Sequence, residues 1–167
     1  MNGLLMNLAL ILRLRSGPQN LPASWPLMIL LLAAYLAQNL ITGQQLDDQN
    51  AAAKSLLAIG LQVVVLTGLL SWRKHIERFA QTLIALAAVG IFFNAVTWAL
   101  LSLSDPTVNQ PILAMAWFAL FIWSLFVDAH IYRNALSVPF SIGMLVTVLV
   151  LAASYVLIEM VFILGNT

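Results

Sequence analysis

Two carboxylates, Asp128 and Glu159, sit within stretches otherwise built from apolar residues. An ionisable side chain in a lipid-crossing segment is costly, so each is a candidate for function. The chemistry such a carboxylate offers is capture and relay of a proton or an ion. Asn94 is the third candidate, the most central strong hydrogen bonder in the chain. A relay would need a file of polar groups through the bundle, for which the sequence supplies Asn94, Thr97, Gln62 and scattered hydroxyls. Asp128 falls near one end of its stretch and Glu159 near the opposite end of another, about 6–8 Å inside the boundary at the rise of a helix. Lying toward opposite leaflets, they cannot act as a general acid and base pair. The plainer roles are structural. Asp128 is expected to pair with Arg73, Arg78 or Arg133, or to bond to Tyr132 one turn later. Asn94 is expected to bond across a helix contact, for about 1 kcal/mol. Gln38 and Asn39 either line a polar vestibule or meet headgroup water, and the second is the expectation.

Other chemistries lack their residues. The 167 residues include no cysteine, which removes disulfides, thiolate metal sites and a cysteine nucleophile. No glycine-rich phosphate loop, His-Glu-x-x-His or Gly-x-Ser-x-Gly pattern occurs. His75 and His130 have no matching third ligand, so no metal or other cofactor is expected, and the chain reads as non-enzymatic. The basic stripe that nucleic-acid binding needs is absent.

The elements that must position these groups follow from composition. The chain is 62% hydrophobic and 8% charged, with a mean hydropathy of +0.98, against roughly 45–50% apolar and about 25% charged in soluble domains. The predicted fold is all-α, a polytopic transmembrane bundle of five helices plus an N-terminal interfacial amphipathic helix. Residues 1–25 form that helix and a linker, 26–164 the five-span bundle and 165–167 a tail. The apolar run Gly3 to Leu12 is too short to cross a bilayer, and Arg13 and Arg15 follow it instead of preceding it, which argues against a cleaved signal. The spans are expected at Pro26 to Thr42, Ala51 to Trp72, Phe79 to Leu103, Pro111 to Tyr132 and Val138 to Leu164. Ser24 caps the first, and Ser137 with Pro139 repeats the cap-then-proline start before the fifth. Asp47 and Asp48 fall in one connecting loop and Asp105-Pro106 in another.

Arg13, Arg15, Arg73, Lys74, Arg78 and Arg133 fall on one side of this path and Lys54 alone on the other. The positive-inside rule then puts the N-terminus in the cytoplasm and the C-terminus outside. Trp25, Trp72 and Tyr132 fall at the basic boundaries, where amphipathic rings are comfortable, while Trp98, Trp117 and Trp123 sit deeper as packing residues. Small residues recur at helix-contact spacing in Ala33 and Ala37, Ala51 and Ser55, Ala95 and Ala99, and Gly143 and Thr147. The Arg73 to Arg78 cluster fixes topology or meets anionic headgroups.

With Ser16-Gly17-Pro18 preceding five closely spaced spans, the layout resembles the Yip-type family of five-span membrane proteins. That resemblance covers nearly the whole chain and implies a cytoplasmic N-terminal segment and an external C-terminus. Eukaryotic relatives are associated with Rab GTPases and vesicle traffic, usually through a longer soluble N-terminal region. The expected function is a packing, assembly or trafficking-type accessory component. The alternatives are a small transporter or channel subunit, or a lipid-modifying membrane enzyme. The expected partners are membrane lipids and other membrane proteins or a second copy of the chain. The expected location is a bacterial inner membrane.

Overall fold

Largely apolar runs of about twenty residues with few helix-breaking interruptions form helices in lipid, because a helix satisfies its own backbone within one segment. The computed structural model describes residues 2–45, 50–104 and 110–164. The acidic loop with Asp47 and Asp48, the Asp105-Pro106 turn and the tail 165–167 lie outside them. Six α-helices follow one another: α1 Asn2–Leu12, α2 Trp25–Gln45, α3 Ala51–Trp72, α4 Phe79–Ser102, α5 Pro111–Leu136 and α6 Phe140–Leu164. Single 3₁₀ turns at Pro18–Asn20 and Ile76–Arg78 lead into α2 and α4. Five helices, α2 to α6, are long and apolar enough to cross a membrane, so this is an all-α bundle of the membrane-spanning kind.

α4 is the axis of the bundle. Ala80 and the unbroken run Thr82 to Val89 are buried on every side of the helix, which requires a segment apolar all round with no polar stripe. α2 lies along it, α5 flanks it, and α5 pairs most extensively with α6. The α5–α6 seam is close because of Gly143: a Cβ there would run into the carbonyl of Ala129 and sit 3.0 Å from Arg133. Large apolar side chains such as Ile112, Met115 and Leu149 cover the outside, as they must when the surroundings are hydrocarbon.

Helix ends explain the polar sequence. Ser24 Oγ accepts from the Leu27 N–H at 3.4 Å and caps α2. α1, α3 and α5 end alike, with Leu14, Lys74 and Ser137 in the left-handed region at φ 60°, 59° and 52°. The next N–H in each case reaches five residues back, Arg15 to Leu10, His75 to Leu70 and Val138 to Arg133, and so satisfies a terminal carbonyl. Ser137 therefore closes α5 and does not cap α6, a correction to the expected start. The reason is Arg78, whose Nη1 donates to Ser137 Oγ at 2.8 Å and to the carbonyls of Asn134 and Ala135 at 3.1 and 3.3 Å. Arg73 adds bonds to the carbonyls of Leu136 and Ser137. The two guanidiniums thus cover orphan carbonyls at the negative end of the α5 dipole.

The N-terminal segment is tied to the side of the bundle, with the strap after α1 near the same end. In α1, Leu4, Leu8, Ile11 and Leu12 face the core while Leu5 and Met6 are exposed, an amphipathic spacing. The helix packs on α4 and α5, and its Leu12 carbonyl accepts from Trp123 Nε1 at 3.2 Å. Trp123 lies about 20 Å along α5 from Leu136, so α1 is docked against the side of the bundle at that depth. Gln81 Nε2 holds the following strap, donating to the carbonyls of Gln19 and Leu21 at 3.2 and 2.8 Å. Ile11 and Leu21 join the common core.

Candidate functional site

Between the spanning helices lies a cavity of about 470 Å³ to which all five contribute, a volume within the range of small-molecule sites. It runs from Leu83 to Thr97 on α4, about 21 Å of helix. Phe121 of α5 and Leu151 of α6 line it and are also among the exposed residues, so its rim lies between these two helices. Toward the basic end Gly143 closes the same seam.

Most of the wall is aliphatic and aromatic, and the polar groups come from recurring helical positions. Ser124, Asp128 and Tyr132, four residues apart, put one stripe of α5 into the cavity. Asn94 and Thr97 do so from α4, Thr147 and Ser154 from α6, Gln62 from α3 and Tyr35 from α2. Tyr35 fits because α4 has Gly90 opposite: a Cβ at Gly90 would lie 2.7 Å from the ring carbon Cε2. The phenols of Tyr35 and Tyr132 both lie within electrostatic range of Asp128, and the Gln62 amide is beside the Tyr132 hydroxyl.

The expected pairing of Asp128 with an arginine is not what the bundle builds. Arg73 and Arg78 are spent on the end of α5, and Arg133 is exposed. Among the described residues Asp128 has neither an ion pair nor a hydrogen bond, and no Lys, Arg or His lines the cavity. Asp128 lies about 12 Å along α5 from Leu136, deeper than a residue satisfied at the interface. Asn94 does bond across a helix contact as expected, its Nδ2 donating to Asn39 Oδ1 at 3.3 Å. Asn39 in turn donates to the Tyr35 carbonyl at 2.8 Å, so it faces inward and not toward headgroups. Gln38 Oε1 is buried with no hydrogen-bond partner among the described residues. Glu159 is not part of the cavity wall. The three candidates therefore divide: Asp128 and Asn94 share a site, and Glu159 stands outside it.

Comparison of the chain with protein-family models, with curated proteins and with solved structures returned no match.

The remaining polar residues have local tasks. His130 Nε2 bonds to the Ser16 carbonyl at 3.0 Å, and because a carbonyl only accepts, Nε2 is the donor. His75 Nδ1 lies 3.4 Å from Glu77. Trp25 and Trp72 are exposed at helix ends, but Tyr132 is only 2% exposed, which corrects its reading as a boundary aromatic. Trp123 packs edge-on against Phe92 and Phe93 at 5.7 and 5.1 Å between centroids. Tyr35, Ser124, Thr147 and Ser154 are site residues beyond the sequence expectation, which named Tyr132 as a neighbour of Asp128. The signal was spacing, since polar groups four or seven residues apart in an apolar helix share a face.

Proposed function

We propose that this five-span protein is a small non-enzymatic carrier or channel-type subunit that takes a proton or a small cationic solute into the bundle at Asp128. The observation that carries this reading is Asp128 itself, facing a cavity walled by all five spanning helices with no cation beside it. An unpaired carboxylate in such a place costs far more than it returns, so the site is neutral only when it holds a proton or a counter-cation. Exchange between those two occupants is the elementary step of coupled transport. Gln62, Asn94, Thr97 and the hydroxyls, which the sequence offered only as scattered groups, supply the polar file such a step needs.

The test is proton flux in reconstituted vesicles. Wild-type protein is expected to collapse an imposed pH gradient faster than protein-free vesicles, and Asp128→Asn to lose that excess with unchanged thermal stability. Equal flux from both proteins overturns the reading.

A second reading, the packing or assembly accessory, is supported by a different observation. Ala33 and Ala37 on α2 and Ala95 and Ala99 on α4 remain exposed on the outside of the bundle, unlike Gly143 and Thr147, which are consumed by the α5–α6 seam. Small residues left outward permit another spanning helix to approach closely. Detergent purification that yields a stoichiometric membrane partner or a dimer supports this second reading, and a strict monomer counts against it. For location we propose an inner membrane with a cytoplasmic N-terminus, supported by Arg73, Lys74, Arg78 and Arg133 at one end of the spanning helices.

A further inference from the structure

The cavity's hydrogen-bonding character specifies more than a proton. Ser124 Oγ already donates to the Phe121 carbonyl at 2.8 Å and Thr147 Oγ1 to the Gly143 carbonyl at 3.0 Å. Each hydroxyl proton is spent within its own helix, which leaves oxygen lone pairs for the cavity. Asn94 likewise uses an N–H on Asn39, leaving its carbonyl oxygen uncommitted among the described residues. With the carboxylate of Asp128, one cavity holds several acceptors, one negative charge and no basic side chain. The phenols of Tyr35 and Tyr132, the Gln62 amide, the second N–H of Asn94, the Thr97 and Ser154 hydroxyls and the Trp117 indole are the donors, and Gln62 and Tyr132 face one another.

Aromatic side chains complete the wall at Phe93, Trp117 and Phe121. A ring that turns its face to a bound cation attracts it. The rim between Phe121 and Leu151 is apolar and opens between two lipid-facing helices, a route that suits a molecule with a substantial apolar part. The titratable groups facing the cavity are Tyr35 from α2 and Asp128 and Tyr132 from α5, with none from α3, α4 or α6.

We propose that this cavity is a binding site for an amphiphilic organic ammonium, its N–H groups on Asp128 and the spent hydroxyls and its apolar body against the aromatic wall. This rests on the carrier reading for its physiological sense, but binding can be measured without transport. Three probes share one indole scaffold and differ in the charge of the side arm: tryptamine is a cation, tryptophol neutral and indole-3-acetate an anion. Equilibrium dialysis against purified protein in detergent is expected to show saturable tryptamine binding at one site per chain. Tryptophol should bind weaker on the order of tenfold, the weight of a charge-assisted hydrogen bond, and indole-3-acetate should show no saturable binding. Asp128→Asn should reduce tryptamine to the level of tryptophol. Should that variant misfold, Ala58→Phe fills the cavity with the carboxyl intact and should weaken both tryptamine and tryptophol. Equal binding of all three probes, or tryptamine binding untouched by either substitution, overturns the proposal. Saturable, Asp128-dependent binding without proton flux leaves the site standing and sinks the carrier reading. Flux without tryptamine binding does the reverse.

Discussion

Gly90 leaves the space that the ring of Tyr35 occupies: a methyl group there would come within 2.7 Å of Cε2 and 3.1 Å of Cδ2. The contact joins α2 to the central helix and turns the phenol into the cavity. Gly90→Ala should therefore cost about 1–3 kcal/mol, the usual price of overpacking. Thermal unfolding in detergent measures it. Pairing the change with Tyr35→Leu should recover most of the loss, since the two share one contact. A fully additive pair would show that the ring moves aside freely.

Asn94 and Asn39 tie α4 to α2 by a side-chain bond of 3.3 Å. Asn94→Ala is expected to lower stability by roughly 0.5–2 kcal/mol, and Asn94→Ala with Asn39→Ala by less than the sum of the two. Chemical denaturation of the four proteins checks the shortfall. Strict additivity would remove the bond from the account.

Arg78 covers two carbonyls and a hydroxyl at the end of α5. Arg78→Met keeps much of the aliphatic stem and removes the donors, so a loss of about 1.5–3 kcal/mol is expected, with hydrogen exchange accelerated in the last turn of α5. Arg78→Lys should restore only part, because an ammonium cannot reproduce the fork. Exchange unchanged at Asn134 to Ser137 in Arg78→Met would contradict the capping role.

Orientation is open to direct labelling because the chain has no cysteine. A cysteine placed at position 75 should react with a membrane-impermeant thiol reagent only after the membrane is opened, and one at position 104 in intact cells. Labelling of position 75 in intact cells would invert the topology.

The five spans were legible because apolar runs of that length have one outcome in lipid. Their arrangement was less so. All five are largely apolar around their circumference, and where the solvent is hydrocarbon, hydrophobicity no longer marks which face is buried. Nothing in its composition singled out α4 as the axis; its small residues Ala85, Gly90 and Ala95 are matched by others elsewhere. Asp128 stands out in the sequence as an ionisable group, with Arg73, Arg78, Arg133 and Tyr132 as its expected partners. Arg73 and Arg78 had a closer use, the unsatisfied carbonyls of α5, which a sequence does not display. Tyr132 illustrates the same ambiguity, since a tyrosine near a span boundary reads alike whether it faces headgroups or a cavity. The stripe of Ser124, Asp128 and Tyr132 could have settled it, as three polar residues in register on one apolar helix face inward together.

The central claim is that the Asp128 carboxyl opens into an interior cavity and is not bound to an arginine. Dicyclohexylcarbodiimide reaches carboxyl groups from the apolar phase, and peptide mapping by mass spectrometry locates its adducts. Wild-type protein in membranes should carry the adduct on Asp128, and Ala58→Phe, which fills the cavity, should carry less on the order of tenfold. An unmodified Asp128 in wild-type protein, or equal modification in Ala58→Phe, would contradict the account.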